Sequence, residues 1–251
     1  MTSLMRPAKY REPGTYLGEG VHAIGPSTRG HAQGGYSRAY LFAETDGLTL
    51  VDALWDEDAH MILKYLWCIG CAPGDITDIC VTHAHRSHLG GLATMRALSG
   101  APVHCHPAEA PIVEGREAAA KIPLRPLRPP ELIPFRLASQ LGLQPHAPCK
   151  VDDPGLGVGT NKRVGHLDVV TLPGHTPGNL AFSWAGGRVM AVADMILTWP
   201  DFSAGWPRFN VDDDEFRVSL VKIVEGAPDV VCTGHGDPIV HDTARRIARL
   251  L

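Results

Sequence analysis

The chain has 251 residues, of which 44% are hydrophobic and 20% charged, and its formal net charge is −4. This length suffices for one large domain with a substantial core. The small negative charge and the lack of a basic run argue against nucleic acid as the main partner. No apolar stretch approaches the roughly 20 residues that span a bilayer, and residues 1–20 lack the apolar centre of a secretory signal. We therefore expect a cytoplasmic protein with no membrane partner.

The first half of the chain predicts strands and helices in alternation. Residues 1–20 show little periodicity and are expected to form an N-terminal arm. Asp46-Gly47 between two apolar runs predicts a hairpin turn. Short apolar runs predict strands at Val21–Gly25, Tyr36–Glu44, Leu48–Asp52, Asp78–Val81 and Ala101–His106, and apolar residues at helical spacing predict helices at Asp58–Trp67, Leu89–Leu98 and Pro107–Glu117.

The second half begins with a proline-rich segment, residues 123–148, which predicts an insertion near the active site because it is too short for a core of its own. The same criteria predict strands at Val164–Leu172, Leu180–Trp184, Val189–Ala193 and Val230–Thr233, and helices at Phe135–Leu141, Asp213–Glu225 and Thr243–Leu251. Strands followed by helices, twice over, favour two β-sheets packed face to face with helices outside. We expect one domain over residues 1–251.

Three histidines lie within six residues, in the turn that begins at Thr82 and ends at Gly91. His83, His85 and His88 follow a strand, and the carboxyl end of a strand is where an α/β sheet usually presents its ligands. Neutral imidazole is the commonest protein ligand for zinc and iron. A polar turn that happens to be rich in histidine is the alternative. The rest of the chain argues against that alternative, because it supplies further residues of metal-ligand type.

Three further positions share the same setting, because each places a metal-ligand residue directly after an apolar strand. His175 lies in Pro-Gly-His-Thr-Pro-Gly, Asp194 follows Val189–Ala193, and His235 lies in Thr-Gly-His-Gly. The neighbouring glycines and prolines favour tight turns that hold these side chains at the sheet edge. Five histidines and one carboxylate in such turns predict a metal site.

On these motifs the chain resembles the metallo-β-lactamase fold superfamily, from about Val21 to the C-terminus. The resemblance implies an αββα sandwich, that is, two mixed β-sheets flanked by helices, with metal at one edge. It implies a first metal, Zn²⁺ with iron as the alternative, on His83, His85 and His175. It also implies a second metal on His88 and His235, with Asp194 between the two.

Ser87 departs from the resemblance, because the family's turn normally reads His-x-His-x-Asp-His and has an aspartate at this position. A serine hydroxyl is a poor zinc ligand and removes one negative charge. We therefore expect weaker occupancy of the second position, and one or two metals per chain. In the family, the aspartate at this position orients water and could move a proton. Because this chain lacks that aspartate, Ser87, which takes its place, and Asp194 are the candidate catalytic residues.

The resemblance implies a hydrolase that uses a metal-bound hydroxide on an ester-like bond of a small molecule: a lactone, a thioester or a β-lactam. Only residues 236–251 follow the last ligand, whereas relatives that hydrolyse glutathione thioesters carry a helical region there, so we expect another substrate. Two alternatives stay open: an iron-dependent oxidoreductase like the sulfur dioxygenases, and a non-catalytic member. Homo-oligomerisation is possible.

Several other residues that could carry chemistry are interpreted as structural. Cys80, Cys105 and Cys232 lie in apolar strands and are expected to be buried. Six histidines lack ligand partners at recognisable spacing and are interpreted as surface or satisfied structural groups: His22, His31, His60, His146, His166 and His241. His31 differs from the others in that its loop is a candidate border of the site. The aromatic residues of the segment 197–206, Trp199, Phe202 and Trp206, are equally consistent with core anchors and with a pocket wall.

Overall fold

The computed structural model describes residues 13–26, 36–119, 145–160, 162–206 and 209–251. Its strands form two mixed sheets. The first sheet has the spatial order β1-β2-β3-β4-β5-β6, and the second has the order β11-β10-β9-β8-β7. The strands are β1 (Gly14–Gly18), β2 (Val21–Ile24), β3 (Ala39–Ala43), β4 (Leu48–Val51), β5 (Ile76–Cys80), β6 (Val103–His104), β7 (Arg163–Val164), β8 (Leu167–Thr171), β9 (Leu180–Trp184), β10 (Val189–Ala193) and β11 (Val230–Thr233).

Each sheet contains both antiparallel and parallel strand pairs, and helices cover its outer face. In the first sheet β1 to β4 pair antiparallel and β4, β5 and β6 pair parallel. In the second sheet β10 and β11 are the parallel pair. The α-helices are α1 (His60–Cys68), α2 (Arg86–Leu89), α3 (Leu92–Ser99), α4 (Ala110–Val113), α5 (Asp213–Gly226) and α6 (Thr243–Ile247).

Alternating side chains divide the core into three apolar layers. Tyr40 and Phe42 of β3 point between the sheets, where they pack in one cluster with Phe182 of β9. Leu41 points to the other face of the same strand, into the layer that α1 and α3 cover. Phe216 of α5 joins a third cluster outside the second sheet. Because side chains alternate across a strand, two sheets with apolar residues on both faces require this helix–sheet–sheet–helix order, and the predicted αββα sandwich is confirmed.

Several predicted elements were wrong in extent. Residues 14–18, predicted as part of an arm, form the edge strand β1, because backbone pairing with β2 needs no apolar alternation. The predicted strand Val164–Leu172 is two strands, since Gly165 adopts a positive φ of 53° between them. The predicted helix Pro107–Glu117 is the single turn α4, and Leu89–Leu98 is divided between α2 and α3.

The predicted insertion lies mostly outside the described residues, which resume at residue 145. Phe135–Leu141 also lies outside them. The expected burial of Cys80, Cys105 and Cys232 is confirmed, and Cys149 is buried as well. Among the described residues, no helix combines the length and the apolar character that crossing a membrane requires.

Candidate metal centre

Four buried side chains form the first group of possible metal ligands: His83, His85, His175 and Asp194. His83 and His85 follow β5, His175 lies in the turn between β8 and β9, and Asp194 directly follows β10. The His85 Nδ1 atom lies 3.0 Å from His83 Nε2 and 3.1 Å from His175 Nε2. The Asp194 Oδ2 atom lies 3.8 Å from His83 Nε2 and 3.5 Å from His175 Nε2.

The second group shares Asp194 with the first and adds His88 and His235. The His88 Nε2 atom lies 3.3 Å from Asp194 Oδ1, and His235 Nε2 lies 3.3 Å from Asp194 Oδ2. His88 belongs to the short helix α2 rather than to a turn, and His235 follows β11. A Cβ atom on Gly234 would overlap Asp194 Oδ1, so glycine there makes room for the shared carboxylate.

Strand direction explains why the two groups meet. β10 and β11 are parallel, so Asp194 and His235 leave the second sheet at one edge. A hydrogen bond of 2.9 Å from the Leu180 amide to the Thr82 carbonyl joins this sheet to the turn that carries His83. The carboxyl ends of strands from both sheets therefore converge on one buried point.

The spacing of the donors fits a small divalent cation. Two ligand atoms on a tetrahedral zinc ion, each about 2.0–2.1 Å from it, lie about 3.3 Å apart. The distances in the first group, 3.0 to 3.8 Å, bracket that value. Among the described residues, His88 Nε2 and both Asp194 oxygens are buried without a hydrogen bond of good geometry. Buried polar atoms are rarely left in that state, and a cation between them would satisfy all three.

The protonation states of the three histidines in the first group suit metal ligands. Burial and neighbouring imidazoles hold the pKa of His83 and that of His85 well below 6.5, and burial also lowers the pKa of His175. These three rings are therefore neutral at pH 7 and have a free lone pair each. Burial alone would raise the pKa of Asp194, but the His235 and His88 imidazoles outweigh it and hold that pKa well below its usual range.

Asp52 orients His88 from outside the second group. Its Oδ2 atom accepts a hydrogen bond of 2.8 Å from His88 Nδ1, and its Oδ1 atom accepts one of 2.9 Å from the Thr82 amide. Burial lowers the pKa of His88, but the Asp194 and Asp52 carboxylates on either side outweigh this and raise it to about 10. Because the Nδ1–H group of His88 donates to Asp52, the other ring nitrogen, Nε2, is the atom directed at Asp194.

Glu109 joins the two turns that carry the first group. The buried Glu109 carboxylate accepts hydrogen bonds of 2.9 Å from the Ala84 amide, between His83 and His85, and from the Gly178 amide in the His175 turn. Neither Glu109 nor Asp52 was predicted from the sequence. Asp52 shows the signal used for the ligands, a polar residue that ends an apolar strand, whereas Glu109 has no comparable signal.

The structure brings all six predicted ligands together and places Ser87 beside them. Ser87 is buried in α2, directly before His88. The second group therefore holds three donors of ligand type, one fewer than the first. The assignment of these residues as ligands, and of Ser87 and Asp194 as catalytic, remains a prediction at this point.

His166, outside the centre, lies at the surface as interpreted, and its donor atom is within 4.8 Å of those of Glu44 and Asp46. His104, in contrast, is satisfied by a contact of 2.8 Å between its Nε2 atom and Asp78 Oδ1. His31 lies outside the described residues.

Curated relatives of the chain carry hydrolase names. The chain is 27% identical over 215 residues to the probable metallo-hydrolase YflN of Bacillus subtilis (strain 168), with 79% of each chain covered. It is also 27% identical over 162 residues to the hydroxyacylglutathione hydrolase of Fuscovulum blasticum, and these residues are 64% of this chain and 48% of that one. The chain thus spans about half of the second relative.

Solved structures share the fold. The di-iron-bound form of TTHA1623 matches with a TM-score of 0.60 at 25% identity, over 86% of this chain and 94% of that one. BJP-1, a subclass B3 metallo-beta-lactamase of Bradyrhizobium japonicum, matches with a TM-score of 0.63 at 20% identity, over 95% and 90%. The second likeness, at this identity, shows the fold alone.

The family is decided by a match along most of the chain. The profile of the metallo-beta-lactamase superfamily matches residues 32–235, from the segment before β3 to the last histidine of the second group. All six clustered side chains lie inside this range, and the sandwich that carries them is the one the structural relatives have. With fold, edge cluster and profile in agreement, the chain belongs to the metallo-beta-lactamase superfamily.

Proposed function

We propose that this member of a hydrolase superfamily is a metal-dependent hydrolase that acts on an ester-like bond of a small molecule: a lactone, a thioester or a β-lactam. The observation that carries the proposal is the pair of buried donor groups that share Asp194. Five imidazoles and one carboxylate, with no serine or cysteine nucleophile in the set, suit a reaction in which the nucleophile is water. The proposed metal is Zn²⁺, one or two per chain, with iron as the alternative.

The bound cation would supply a water of lowered pKa and a Lewis acid for the reacting carbonyl. The residues of the chain prepare the site for that chemistry. The neutral rings of His83, His85 and His175 present lone pairs, and the ionised Asp194 contributes the negative charge. Because its pKa is low, Asp194 binds protons weakly, so this carboxylate suits the role of shared ligand better than that of proton shuttle.

The substrate is proposed to be a small molecule, rather than a nucleic acid or a membrane. The relatives support hydrolysis without agreeing on a substrate: two are probable metallo-hydrolases, one is a hydroxyacylglutathione hydrolase, and BJP-1 is a metallo-beta-lactamase. We further propose a cytoplasmic location, and homo-oligomerisation as a possibility that sedimentation would decide.

An iron-dependent oxidoreductase is the second candidate. Two histidines and one carboxylate with open positions suit iron that activates oxygen, and the first group contains such a set. TTHA1623, at 25% identity, binds two irons. Iron in the purified protein together with oxygen uptake on a persulfide would favour this candidate. Zinc together with ester hydrolysis would reject it.

The test combines metal analysis with a substrate panel. The protein is purified without added metal, its metals are measured by mass spectrometry, and lactones, thioesters and β-lactams are assayed. We expect His175→Ala and Asp194→Ala each to abolish hydrolysis and to lower bound metal. His104→Ala, which removes a histidine paired with Asp78 away from the centre, is the matched control and should change neither. Activity that survives both ligand variants would show that the assigned centre is wrong.

A further inference from the structure

Four aromatic rings stand beside the metal centre, and we call them the aromatic wall: Tyr36, Trp199, Trp206 and Phe209. Neighbouring rings along the wall lie 5.4 to 6.4 Å apart between centroids, from Tyr36 to Trp199, from Trp199 to Trp206 and from Trp206 to Phe209. These distances are typical of favourable aromatic pairs. The four rings therefore form one continuous apolar surface.

The wall touches side chains of both ligand groups. The Trp206 ring lies 4.7 Å from that of His235, in the second group. The Phe209 ring lies 5.4 Å from that of His85 and 5.7 Å from that of His175, in the first group. A reacting carbonyl held between the two groups would thus have an aromatic surface within reach of the substituent it carries.

Backbone contacts fix the tryptophans in place. Leu197 and Ser203 exchange two backbone hydrogen bonds of 3.0 Å, which close a narrow loop around Trp199. The amide of Thr198 donates to the carbonyl of His235 at 3.1 Å, which ties this loop to a ligand turn. The Trp206 Nε1–H group donates to the Trp199 carbonyl at 3.4 Å. A wall held in this way is available to a ligand with little loss of side-chain entropy.

Exposure separates the wall from an ordinary core cluster. Phe209 is buried, but Tyr36, Trp199 and Trp206 are only half-buried, although the ligands beside them are fully buried. Phe202, the other aromatic residue of the same segment, differs because it packs on the third core layer under Arg246. Partly exposed large aromatic side chains next to a buried polar site are a common feature of ligand pockets.

Among the residues that the structure describes, the rings of the wall contact other aromatic rings and imidazoles. Arg38, two residues after Tyr36, donates hydrogen bonds to Asp237 and to the carbonyls of Gly25 and Gly236. A substrate with a carboxylate at this position would give up water without gaining a partner from the wall, whereas an apolar group would gain burial.

We propose that the aromatic wall is the subsite for an uncharged aromatic or similarly apolar group attached to the reacting carbonyl, so that the substrate class is esters or thioesters of apolar carboxylic acids. This inference rests on the proposed function. Trp206 is the specificity-determining residue, because it is both part-exposed and in ring contact with a ligand of the centre.

The test measures a selectivity ratio. Thioesters of mercaptoethanol with phenylacetyl, acetyl and succinyl groups share one leaving group and differ only in the acyl part. We expect the wild-type protein to favour phenylacetyl over the other two in kcat/KM by about tenfold or more, the range that an apolar pocket achieves. In Trp206→Ala the ratio of phenylacetyl to acetyl should fall about tenfold. A ratio removes any general loss that the substitution causes.

Two further variants complete the design. Trp199→Ala should lower the ratio in the same direction, which keeps the test decisive if Trp206→Ala does not fold. Trp67→Ala is the matched control, because this tryptophan is 80% exposed on α1 and has no place in the wall, and its ratio should equal that of wild type. A wild-type preference for acetyl or succinyl, or ratios in both wall variants within about twofold of wild type, would overturn the proposal.

Failure of the proposed function has a different outcome: no lactone, thioester or β-lactam of the panel is hydrolysed by the metal-loaded protein. In that case calorimetry with benzylacetone, an uncharged aryl ketone, and with acetone tests the wall directly. Tighter binding of benzylacetone that is lost in Trp206→Ala would support the subsite without hydrolysis. If benzylacetone does not bind, or if it binds to wild type and to Trp206→Ala equally well, the proposed subsite is overturned.

Discussion

The substitution Asp52→Asn would reverse the direction of the hydrogen bond to His88 Nδ1. It would thereby move the imidazole proton of His88 from Nδ1 to Nε2. The Asp52 Oδ2 atom now accepts from His88 Nδ1 at 2.8 Å, while Oδ1 accepts from the Thr82 amide at 2.9 Å. Asparagine has nearly the same shape and tolerates the positive φ of 61° at this position. Its carbonyl can keep the Thr82 amide, so its NH₂ group then faces His88 and donates to Nδ1. The imidazole proton is forced onto Nε2, which is the atom directed at Asp194.

The expected loss of metal affinity follows from the role of carboxylates that orient a metal-binding histidine. Loss of a carboxylate that orients a ligating histidine typically costs about 10- to 100-fold in metal affinity. That range equals about 1.4 to 2.7 kcal/mol. His175 Nδ1 lies 3.3 Å from Asn210 Oδ1, and His83 Nδ1 lies 3.1 Å from the Thr82 hydroxyl, which can still donate to the asparagine carbonyl. The larger loss should therefore fall on the second group. We expect the first metal to be retained and the second to be weakened.

The assay is competition with a chromophoric chelator, which resolves tight and weak metal sites in one titration. Asp78→Asn is the matched control, since Asp78 makes the same contact of 2.8 Å to His104, away from the centre. Its metal affinities should equal those of wild type. Circular dichroism confirms that both variants are folded. An unchanged second affinity in Asp52→Asn would refute the argument that this carboxylate sets the orientation of His88.

Three other predictions follow from buried or paired carboxylates and from the metal itself. Glu109→Ala leaves two buried amides without an acceptor and should lower the free energy of unfolding by about 2 to 5 kcal/mol, as measured in urea, with Glu109→Gln nearer to wild type. Burial would raise the pKa of Asp152, but hydrogen bonds from Lys150, the Val103 amide and Arg96 lower it from 3.8 to about 2. Because Asp152 is exposed and solvent screens its ion pairs, its contribution is at most about 1 kcal/mol. This contribution is present above pH 4 and is lost as the pH falls toward 2, so the stability difference between wild type and Asp152→Asn should shrink in that interval. Zinc at about 1,000 times its dissociation constant should add about 4 kcal/mol of stability, which a chelator removes in a thermal melt.

The clustering of the six side chains was predictable from the sequence because each of them is marked locally. Asp194 and His235 both follow short apolar runs, and parallel strands bring such ends to one edge whatever the rest of the fold does. The sandwich was predictable from the order of the strands and helices along the chain and from the resemblance to the superfamily. Neither inference needed knowledge of contacts between distant residues.

The features that were missed depend on contacts that no local pattern encodes. Glu109 acts through amides at residues 84 and 178, which become neighbours only when the two sheets pack. β1 was missed because its pairing with β2 is made by the backbone, while two of its five residues are exposed. Gly165 divides a predicted strand because its φ is positive, and an apolar pattern gives no sign of that conformation.

Ser87 gives the last prediction, because it decides how much negative charge the second group can offer. The inner donors carry one carboxylate, Asp194, and the nearest added charge is Asp52, one hydrogen bond further out on His88. The substitution Ser87→Asp should therefore tighten the second metal, while in the metal-free protein it buries a carboxylate without a cation and lowers the melting temperature. The gap between the melting temperatures of the metal-loaded and metal-free proteins should widen. Ser87→Asn matches the size of aspartate without its charge and should leave the second affinity weak. Equal second affinities in the two variants would show that charge at this position does not limit the site.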